Sequence, residues 1–236
     1  NASAMDVESR RHEVIANNLA NANSAGFRRT ILAVSTRGSN AAQASGDVNT
    51  NLRGSAAART YVDFTQGNLI NTSRKLDVAI NGEGFFVIET PAGNMYTRNG
   101  SFQLATDGSI MTTDGMKVLG GGGPLTVPAD AALTDIVINT DGTIRAAGQE
   151  IGQLDVVTFD NLQVLQPVGN TRFSAPADAA AQPVTASLMQ GSLESSNTSL
   201  VTEMISMIIG MRHFEAAQQG LRSISEAIQQ FTTFDA

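Results

Sequence analysis

The residues best suited to acid–base chemistry or metal binding are the two histidines, His12 and His213. Each falls in a segment predicted to be helical, beside a stripe of apolar side chains. A histidine in such a place is more often a polar residue at a packing interface than a general base or a metal ligand. The chain has no cysteine, which excludes a thiol nucleophile, a disulfide and a thiolate metal site. His12 and His213 are therefore interpreted as interface residues.

Two other kinds of motif could bind a phosphate or a cation. Gly120–Gly123 lacks the Lys-Ser/Thr pair of a phosphate loop and runs into Pro124, which indicates an ordinary loop. The Asp-Gly pairs at Asp107 and Asp141 lack the alternating ligands and terminal Glu of a calcium loop, and turn chemistry accounts for them. The sequence therefore predicts no catalytic residue, no metal site, no cofactor and no enzymatic activity.

Two other classes of function remain open from the residues alone. Acidic pairs such as Asp155 and Asp160 could serve a hydrolase, although nothing in the sequence places them in a cleft. A secreted β-rich binding module or adhesin, merely oligomerised by its helices, is the second alternative. Enzymatic activity in the isolated residues 60–190 would favour the first, and ligand binding by the same fragment would favour the second.

The distribution of charge weighs against nucleic acid as a partner. The 236-residue chain has a net charge of −7, with ten Lys/Arg against eight Asp/Glu in residues 1–100 and five against fourteen in residues 101–236. No basic stripe stands out that could neutralise phosphates. The asymmetry suits contact between unlike surfaces of neighbouring subunits, although an acidic surface alone also explains it.

The strongest pattern is an apolar residue at every seventh position near the C-terminus, each with an apolar companion three or four positions later. This spacing predicts a long helix from about Ser199 to Phe231 that packs along a seam. The predicted seam consists of Leu200, Met204, Met207, Met211, Phe214, Ala217, Leu221, Ile224, Ile228 and Phe231. Its first half carries a second apolar face, made of Val201, Ile205, Ile208 and Ile209. One alternative is that the helix lies along its own β-domain. The other is that further subunits surround it, because a helix that is apolar nearly all round must be enclosed by protein.

The rest of the chain divides into three zones. Residues 1–34 hold a helix with a weaker apolar stripe and an Asn-rich end, residues 35–59 form a small, polar, flexible connector, and residues 60–190 form a β-rich domain. Asn-Gly and Asp-Gly pairs predict hairpin turns in that domain, including one at Asn81-Gly82. A Gln-Gly-x-Leu pattern occurs at Gln66 and again at Gln190, which brackets the domain, although chance also explains two copies. Residues 191–236 hold the C-terminal helix.

Three blocks of the sequence resemble the bacterial flagellar rod and hook proteins. The first runs from Ile15 to Phe27 and follows the pattern Ala-Asn-Asn-[Ile/Leu]-Ala-Asn-x-x-Thr-x-Gly-[Phe/Tyr], with Ser24 in place of the common threonine. The second runs from residue 66 to residue 108, and the third covers residues 190–197 with Glu203-Met204. The blocks lie in the order of that family and touch most of the chain apart from residues 30–58.

The resemblance implies an α+β fold in which the N- and C-terminal helices pair as an inner coiled-coil layer and the central all-β domain forms an outer layer. It also implies an assembly interface. The expected interface residues are Ile15, Asn17, Asn18, Leu19, Asn21, Asn23, Gly26, Phe27, Leu200, Met204, Met207, Met211, Phe214, Leu221, Ile224 and Ile228. The asparagine amides are expected to satisfy helix-end carbonyls and to bridge to adjacent chains, although purely local capping is an equal alternative. Gly26 is expected to supply a turn and Phe27 an apolar anchor.

The resemblance further implies partners and a location. The expected partners are other rod subunits, further copies of the chain and the flagellar type III export apparatus, and the expected location is the basal-body rod crossing the periplasm. Within the family, the compact length resembles proximal-rod subunits more than distal-rod subunits. Asn1–Arg11 lacks the apolar core of a signal peptide and no segment is apolar enough to span a membrane, so export without a cleaved signal is expected. The missing initiator methionine suggests a truncated, processed or replaced N-terminus.

Overall fold

A computed structural model describes residues 2–36, 56–129 and 131–234. It contains an N-terminal helix, a central β-rich region and a C-terminal helix, which confirms the predicted mixture of helix and strand. The chain divides into two compact units. The helical unit consists of Asn1–Ala20, Thr30–Asp63 and Ser199–Ala236, and the β-rich unit consists of Asn21–Arg29 and Phe64–Thr198.

The helical unit contains two helices and a two-stranded ribbon. Its elements are α1 (Ala2–Ala20), β1 (Thr30–Thr36), β2 (Ala56–Val62) and α2 (Leu200–Phe234). β1 and β2 pair antiparallel from Thr30 opposite Val62 to Thr36 opposite Ala56, and α1 contacts both the ribbon and α2. α2 begins where the sequence predicts, because the Ser199 carbonyl accepts the N–H of Glu203 at 3.0 Å and Glu203 lies in the first turn, where the helix dipole favours an anion.

The β1–β2 ribbon shifts the boundaries of two predicted segments. The connector was predicted over residues 35–59, but residues 35–36 and 56–59 belong to β1 and β2, and residues 37–55 lie outside the described residues. Residues 30–34, which the prediction grouped with the N-terminal helix, also form part of β1. The predicted C-terminal segment 191–236 opens with a short strand before α2 begins at Leu200.

The β-rich unit contains seventeen strands among its described residues. They are β3 (Leu69–Asn71), β4 (Val78–Asn81), β5 (Phe85–Thr90), β6 (Gly93–Thr97), β7 (Phe102–Leu104), β8 (Ile110–Thr112), β9 (Lys117–Gly120), β10 (Gly123–Pro124), β11 (Val137–Ile138), β12 (Thr143–Ala146), β13 (Gln149–Gln153), β14 (Val156–Thr158), β15 (Gln166–Val168), β16 (Arg172–Ser174), β17 (Gln182–Pro183), β18 (Ser187–Gln190) and β19 (Ser192–Glu194). Short 3₁₀ helices lie at Leu133–Asp135 and Leu162–Val164.

These strands form one large sheet and three small ones. The ten-stranded sheet has the order β15-β16-β6-β5-β9-β8-β7, with β10 on β9 and with β14 joining β5 to β17. The others are the three-stranded β11-β12-β13 and the two-stranded β18-β4 and β19-β3. Alternate apolar side chains from β4, β5, β8 and β12 point into one core, which contains Ile80, Phe86, Ile88, Ile110 and Ile144.

The turns agree with the predicted hairpins at the Asp-Gly pairs but not at the Asn-Gly pairs. The pairs at Asp107, Asp114 and Asp141 connect strands that pair with each other. Asn81-Gly82 instead connects β4 to β5, which lie in different sheets, so the predicted hairpin there is wrong. Asn99-Gly100 connects β6 to β7, which lie in one sheet but are not neighbours.

Candidate functional site

Three segments that are far apart in the sequence meet inside the β-rich unit. They are residues 21–29, 65–71 and 190–197. β19 pairs antiparallel with β3, with Glu194 opposite Leu69 and Ser192 opposite Asn71. The C-terminal ends of the two Gln-Gly-x-Leu copies therefore lie in neighbouring strands of one small sheet, a relationship that their similarity alone did not establish.

Glu194 lies at the centre of the contacts between these segments. Its Oε1 accepts hydrogen bonds from Nη2 of Arg28 at 2.6 Å and from the backbone N–H of Gly67 at 2.7 Å, and its Oε2 accepts one from Nη1 of Arg98 at 3.2 Å. The side chains of Glu194 and Arg28 are fully buried, and that of Arg98 is 5% exposed. We call Glu194, Arg28, Arg98 and Gly67 the Glu194 junction.

The Glu194 junction contains two cations and one anion. Burial away from water lowers the pKa of Arg98 from its ordinary value to about 10; the Glu194 carboxylate opposes that shift and the like charge of Arg28 adds to it. Arg98 also donates from Nη2 to the Gly82 carbonyl at 2.8 Å, and its guanidinium lies 5.4 Å from the centre of the Phe85 ring. Nε and Nη1 of Arg28 have no hydrogen-bond partner among the described residues. Loss of the carboxylate would remove the buried anion with which both buried guanidinium groups pair.

Two glycines allow the three segments to approach closely. The Gly26 N–H donates to the Glu194 carbonyl at 2.8 Å, and Gly26 has a φ of +70°. A side chain at Gly26 would collide with the backbone of Asn99, and one at Gly67 would collide with the Ser195 carbonyl. Residues with a Cβ atom are therefore excluded from both positions unless the backbone moves.

Asn197 connects the same three segments through its amide. Its Oδ1 accepts the N–H of Arg29 at 2.7 Å, and its Nδ2 donates to the Thr65 carbonyl at 3.0 Å. The Asn197 backbone N–H donates to the carbonyl of Phe27, whose side chain is buried, at 3.4 Å. These contacts hold the end of the Asn-rich block against the end of the 190–197 segment.

The residues of the Asn-rich block lie in different surroundings. Asn18 is buried in the helical unit, where its Nδ2 donates to the Thr30 carbonyl at 2.8 Å and its Oδ1 accepts the Thr30 N–H at 2.9 Å, so its amide ties α1 to the start of β1. Asn17 and Asn23 are exposed, and Leu19 is half-buried. The predicted interface residues already buried within the single chain are Ile15, Asn18, Asn21, Gly26 and Phe27.

The predicted seam on α2 divides between one side that meets α1 and another that is exposed. The ring of His12 on α1 lies edge-on to the ring of Phe214, with centres 6.3 Å apart, and a Cβ at Gly210 would lie 3.0 Å from His12 Cε1. Met207 is half-buried. The exposed apolar residues of α2 are Leu200, Val201, Met204, Ile205, Ile208, Ile209 and Met211. The side chains of the predicted interface residues Leu221, Ile224 and Ile228 lie outside the described residues.

The acidic turns have a structural explanation. Hydrogen bonds from Ser109 lower the pKa of Asp107, and hydrogen bonds from Thr143 lower that of Asp141, as expected for carboxylates that close turns. Within the described ranges, no three histidine, aspartate or glutamate residues are grouped as they would be around a metal ion. No helix in the same ranges has the length and apolar character that crossing a membrane requires.

Comparison with known proteins identifies the family. Residues 1–28 match the family described as flagella basal body rod protein, residues 79–146 the flagellar hook protein FlgE/F/G D1 domain, and residues 189–233 the flagellar basal body rod FlgEFG protein C-terminal family. The chain is 32% identical to the flagellar basal-body rod protein FlgF of Caulobacter vibrioides over 222 residues, which cover 91% of this chain and 87% of that protein. The chain belongs to the flagellar basal-body rod protein family.

Relatives named as two different rod proteins are similar to the chain. It is 34% identical to FlgG of Bacillus subtilis over 241 residues (92% of this chain, 90% of that protein) and 32% identical to FlgG of Agrobacterium fabrum over 253 residues (95% and 94%). Proteins of the rod family are structural and are not enzymes. This member of the rod family is accordingly a structural subunit of the flagellar basal body.

Each segment that matches the rod family contributes one charged residue to the Glu194 junction. Arg28 lies in the first match, Arg98 in the second and Glu194 in the third. Sequence reasoning did not single these residues out. The signal available was a charge beside small or apolar neighbours, as at Glu194 between Leu193 and Ser195, but that signal does not identify the partner.

Proposed function

We propose that this rod subunit is of the proximal-rod, FlgF type and polymerises by packing the exposed apolar face of α2 against helices of neighbouring rod subunits. The observation that carries the proposal is that face. Val201 is 66% exposed, Ile205 52% and Ile208 48%, on a helix that already packs on α1 with another side. Burying a Val, Ile or Met side chain contributes about 1.5–3 kcal/mol, so the exposed face favours association with other protein.

The terminal helices are proposed to pair in a coiled-coil layer. The contact of His12 with Phe214 and the absence of a side chain at Gly210 support close packing of α1 on α2. The seven-residue spacing continues through Leu221 and Ile228, which is the period at which a helix presents one seam to its neighbours. In this arrangement Met204 and Met211 suit an interface of slightly different neighbours, because methionine side chains adapt to irregular surfaces.

The assignment to the FlgF type is supported by length. The alignment with FlgG of Agrobacterium fabrum is longer than this 236-residue chain, so it contains FlgG residues for which the chain has no counterpart. The alignment with FlgF of Caulobacter vibrioides covers 91% of the chain in 222 positions, so it contains fewer residues of that kind. A distal-rod, FlgG-type subunit is the second candidate, because the FlgG relatives are as similar in identity as the FlgF relatives.

The proposal extends to partners, route and place. The proposed partners are proximal and distal rod subunits and further copies of the chain. The proposed route is the flagellar type III export apparatus, without a cleaved signal peptide. The proposed place is the part of the rod that crosses the periplasm, where the polymer would form a drive shaft around an export channel.

The test is electron microscopy of basal bodies from a strain that lacks the gene, together with a swimming assay. Non-motile cells whose proximal rods are themselves incomplete would support the FlgF type, and complete proximal rods without a distal segment would support the FlgG type. Normal basal bodies and normal swimming would contradict both. Complementation with Ile208→Asp and with Ile208→Leu then tests the α2 face, because only the charged variant should fail to restore assembly.

A further inference from the structure

The two Asn-Gly pairs of the β-rich unit lie in opposite environments. Asn81 and Gly82 are both exposed, whereas Asn99 is half-buried and Gly100 is buried. Asn-Gly is the dipeptide in which the asparagine amide is most open to attack by the next backbone nitrogen, because glycine has no side chain to block the approach. Exposure of one pair and burial of the other predict different chemical fates for two identical dipeptides.

Contacts hold the Asn99-Gly100 pair in place. The Asn99 Oδ1 accepts the N–H of Ser101 at 3.0 Å, and the Asn99 N–H donates to Oγ1 of Thr97 at 3.0 Å. The Gly100 carbonyl accepts the N–H of Val78 at 3.0 Å, and the space where a Gly100 side chain would lie is filled by the Val78 carbonyl. Cyclisation here would have to break at least one of these contacts inside the packed unit.

The Asn81 side chain has no such restraint from the described residues, and the space beside Gly82 is open. Among the described residues no hydrogen bond to the Asn81 side chain is present, and nothing lies within 4 Å of the position of a Gly82 Cβ atom. Gly82 has a φ of +112° and is followed by the exposed Glu83. The Asn81 side chain is therefore free to turn toward the Gly82 nitrogen.

We propose that Asn81 is a site of spontaneous deamidation through a succinimide and that Gln66 slows the reaction. The Gly82 nitrogen attacks Cγ of Asn81, a new N–Cγ bond forms, the Cγ–Nδ2 bond breaks, and Nδ2 leaves as ammonia with the proton from Gly82. Solvent water then opens either carbonyl of the ring, which gives aspartate or isoaspartate at position 81. No oxidant or reductant takes part.

Gln66 restrains the attacking nitrogen. Its Oε1 accepts the Gly82 N–H at 3.3 Å while its Nε2 donates to the Ile80 carbonyl at 2.9 Å, so one amide side chain bridges the peptide units on both sides of Asn81. For the ring to close, the Gly82 nitrogen must lose its proton, and its peptide unit must rotate toward Cγ of Asn81. Removal of the Gln66 side chain frees the Gly82 N–H and lets this peptide unit rotate, so deamidation becomes faster.

Isoaspartate at position 81 is expected to disturb the contacts of the Glu194 junction. The Gly82 carbonyl accepts from Nη2 of Arg98 at 2.8 Å, and Arg98 in turn holds Oε2 of Glu194. Isoaspartate adds one methylene to the main chain directly before Gly82 and shifts this carbonyl. An ordinary aspartate at position 81 adds the charge without the methylene and should leave the Arg98 contact intact.

The experiment is peptide mapping of the full chain aged at pH 8.5 and 37 °C. Trypsin cleaves after Lys75, Arg98 and Lys117, so the two Asn-Gly pairs fall in separate peptides. In the folded chain we expect Asn81 to deamidate at least about tenfold faster than Asn99, corresponding to a barrier difference of about 1.4 kcal/mol. In urea the two sites should react at similar rates. Gln66→Ala should accelerate the reaction at Asn81 further, and Gln182→Ala, at an exposed glutamine elsewhere, should not.

Equal rates at Asn81 and Asn99 in the folded chain, or an unmodified Asn81 in a chain that reacts readily in urea, would overturn the site. An unchanged rate in Gln66→Ala would overturn the restraint. For the link to Arg98, aged protein rich in isoaspartate should melt at a lower temperature than Asn81→Asp; equal melting temperatures would overturn that link.

Discussion

Glu194 and Arg28 are 166 positions apart in the sequence, yet their side chains form a 2.6 Å ion pair in which both are fully buried. The pair ties the Asn-rich block to the segment that follows the β-rich core. Because Arg98 and Gly67 donate to the same carboxylate, one side chain serves donors from three parts of the chain. The first and last segments of the β-rich unit are therefore held together by the same carboxylate.

Replacement of the carboxylate by its neutral isostere tests that dependence. Glu194→Gln should lower the free energy of unfolding by about 3–5 kcal/mol, because it removes the buried carboxylate with which two buried guanidinium groups pair. Glu150→Gln, at an exposed glutamate of β13, is the control and should change it by less than about 0.5 kcal/mol. Chemical denaturation of the full chain measures both, and equal small effects would contradict the importance of the junction.

Substitution at Gly26 tests whether close contact with the Asn99 backbone costs stability beyond the strain of a positive φ. Gly26→Ala should cost at least about 2 kcal/mol, since it combines a positive φ with a collision against Asn99. Gly115→Ala has a positive φ of +80°, close to that of Gly26, but no atom near the new methyl group, so it should cost about 1–2 kcal/mol from strain alone. Similar losses of stability in the two variants would show that the collision at Gly26 relaxes freely.

The contact between α1 and α2 can be tested through Gly210. Alanine favours a helix over glycine by about 1 kcal/mol, but here the new methyl group would lie 3.0 Å from His12 Cε1. Gly210→Ala should therefore be neutral or destabilising alone and stabilising in a His12→Ala background. A double-mutant cycle should give a coupling of at least about 0.5 kcal/mol. Additive effects would mean that His12 does not pack on Gly210.

The turn at Asp107 leads to a prediction about pH. Its pKa lies below 3.8 chiefly because Oγ of Ser109 donates to the carboxylate at 2.6 Å, with the Ser109 N–H also donating at 3.0 Å. Since the folded value is below the unfolded one, the stabilisation is complete above the unfolded pKa and is lost as pH falls through the folded pKa. Ser109→Ala should raise the pKa of Asp107 toward 3.8 in an NMR titration and leave Asp141 unchanged. An unmoved Asp107 would contradict the assignment of the cause.

The exposed apolar face of α2 should be needed for assembly of the rod but not for folding of the subunit. Ile208→Asp should change the free energy of unfolding of the monomer by less than about 0.5 kcal/mol, because the side chain is already exposed. The same variant should fail to join rods, since burial of an unpaired charge in an interface costs several kcal/mol. Sedimentation of rods from complemented cells, with Ile208→Leu as control, measures assembly. Normal incorporation of Ile208→Asp would contradict the proposed interface.

Local patterns in the sequence predicted the features that have local causes. The start of α2 follows from Ser199 and the seven-residue period, and the hairpin at Asp107-Gly108 follows from a carboxylate that closes its own turn. The β1–β2 ribbon was missed because alanines and small polar residues dominate residues 35–58, a composition that is equally typical of a flexible connector.

The Glu194 junction was missed for a different reason. Nothing in the residues around Glu194 identifies Arg28 as a partner 166 positions away, because the pairing depends on β19 lying beside β3. The same limit explains Asn81-Gly82, where a typical hairpin dipeptide connects strands of two different sheets. Which strands become neighbours is decided by the whole core and not by the turn.

The most direct test of the proposed assembly is site-specific photo-cross-linking from the α2 face in cells that build flagella. A photoreactive amino acid at Ile208 should cross-link to another copy of the chain or to another rod subunit, identified by mass spectrometry of purified basal bodies. The same probe at Glu150, an exposed residue of β13 outside the proposed interface, should give no such cross-links. Cross-links from Ile208 that are exclusively intramolecular would contradict the proposal that this face packs against neighbouring subunits.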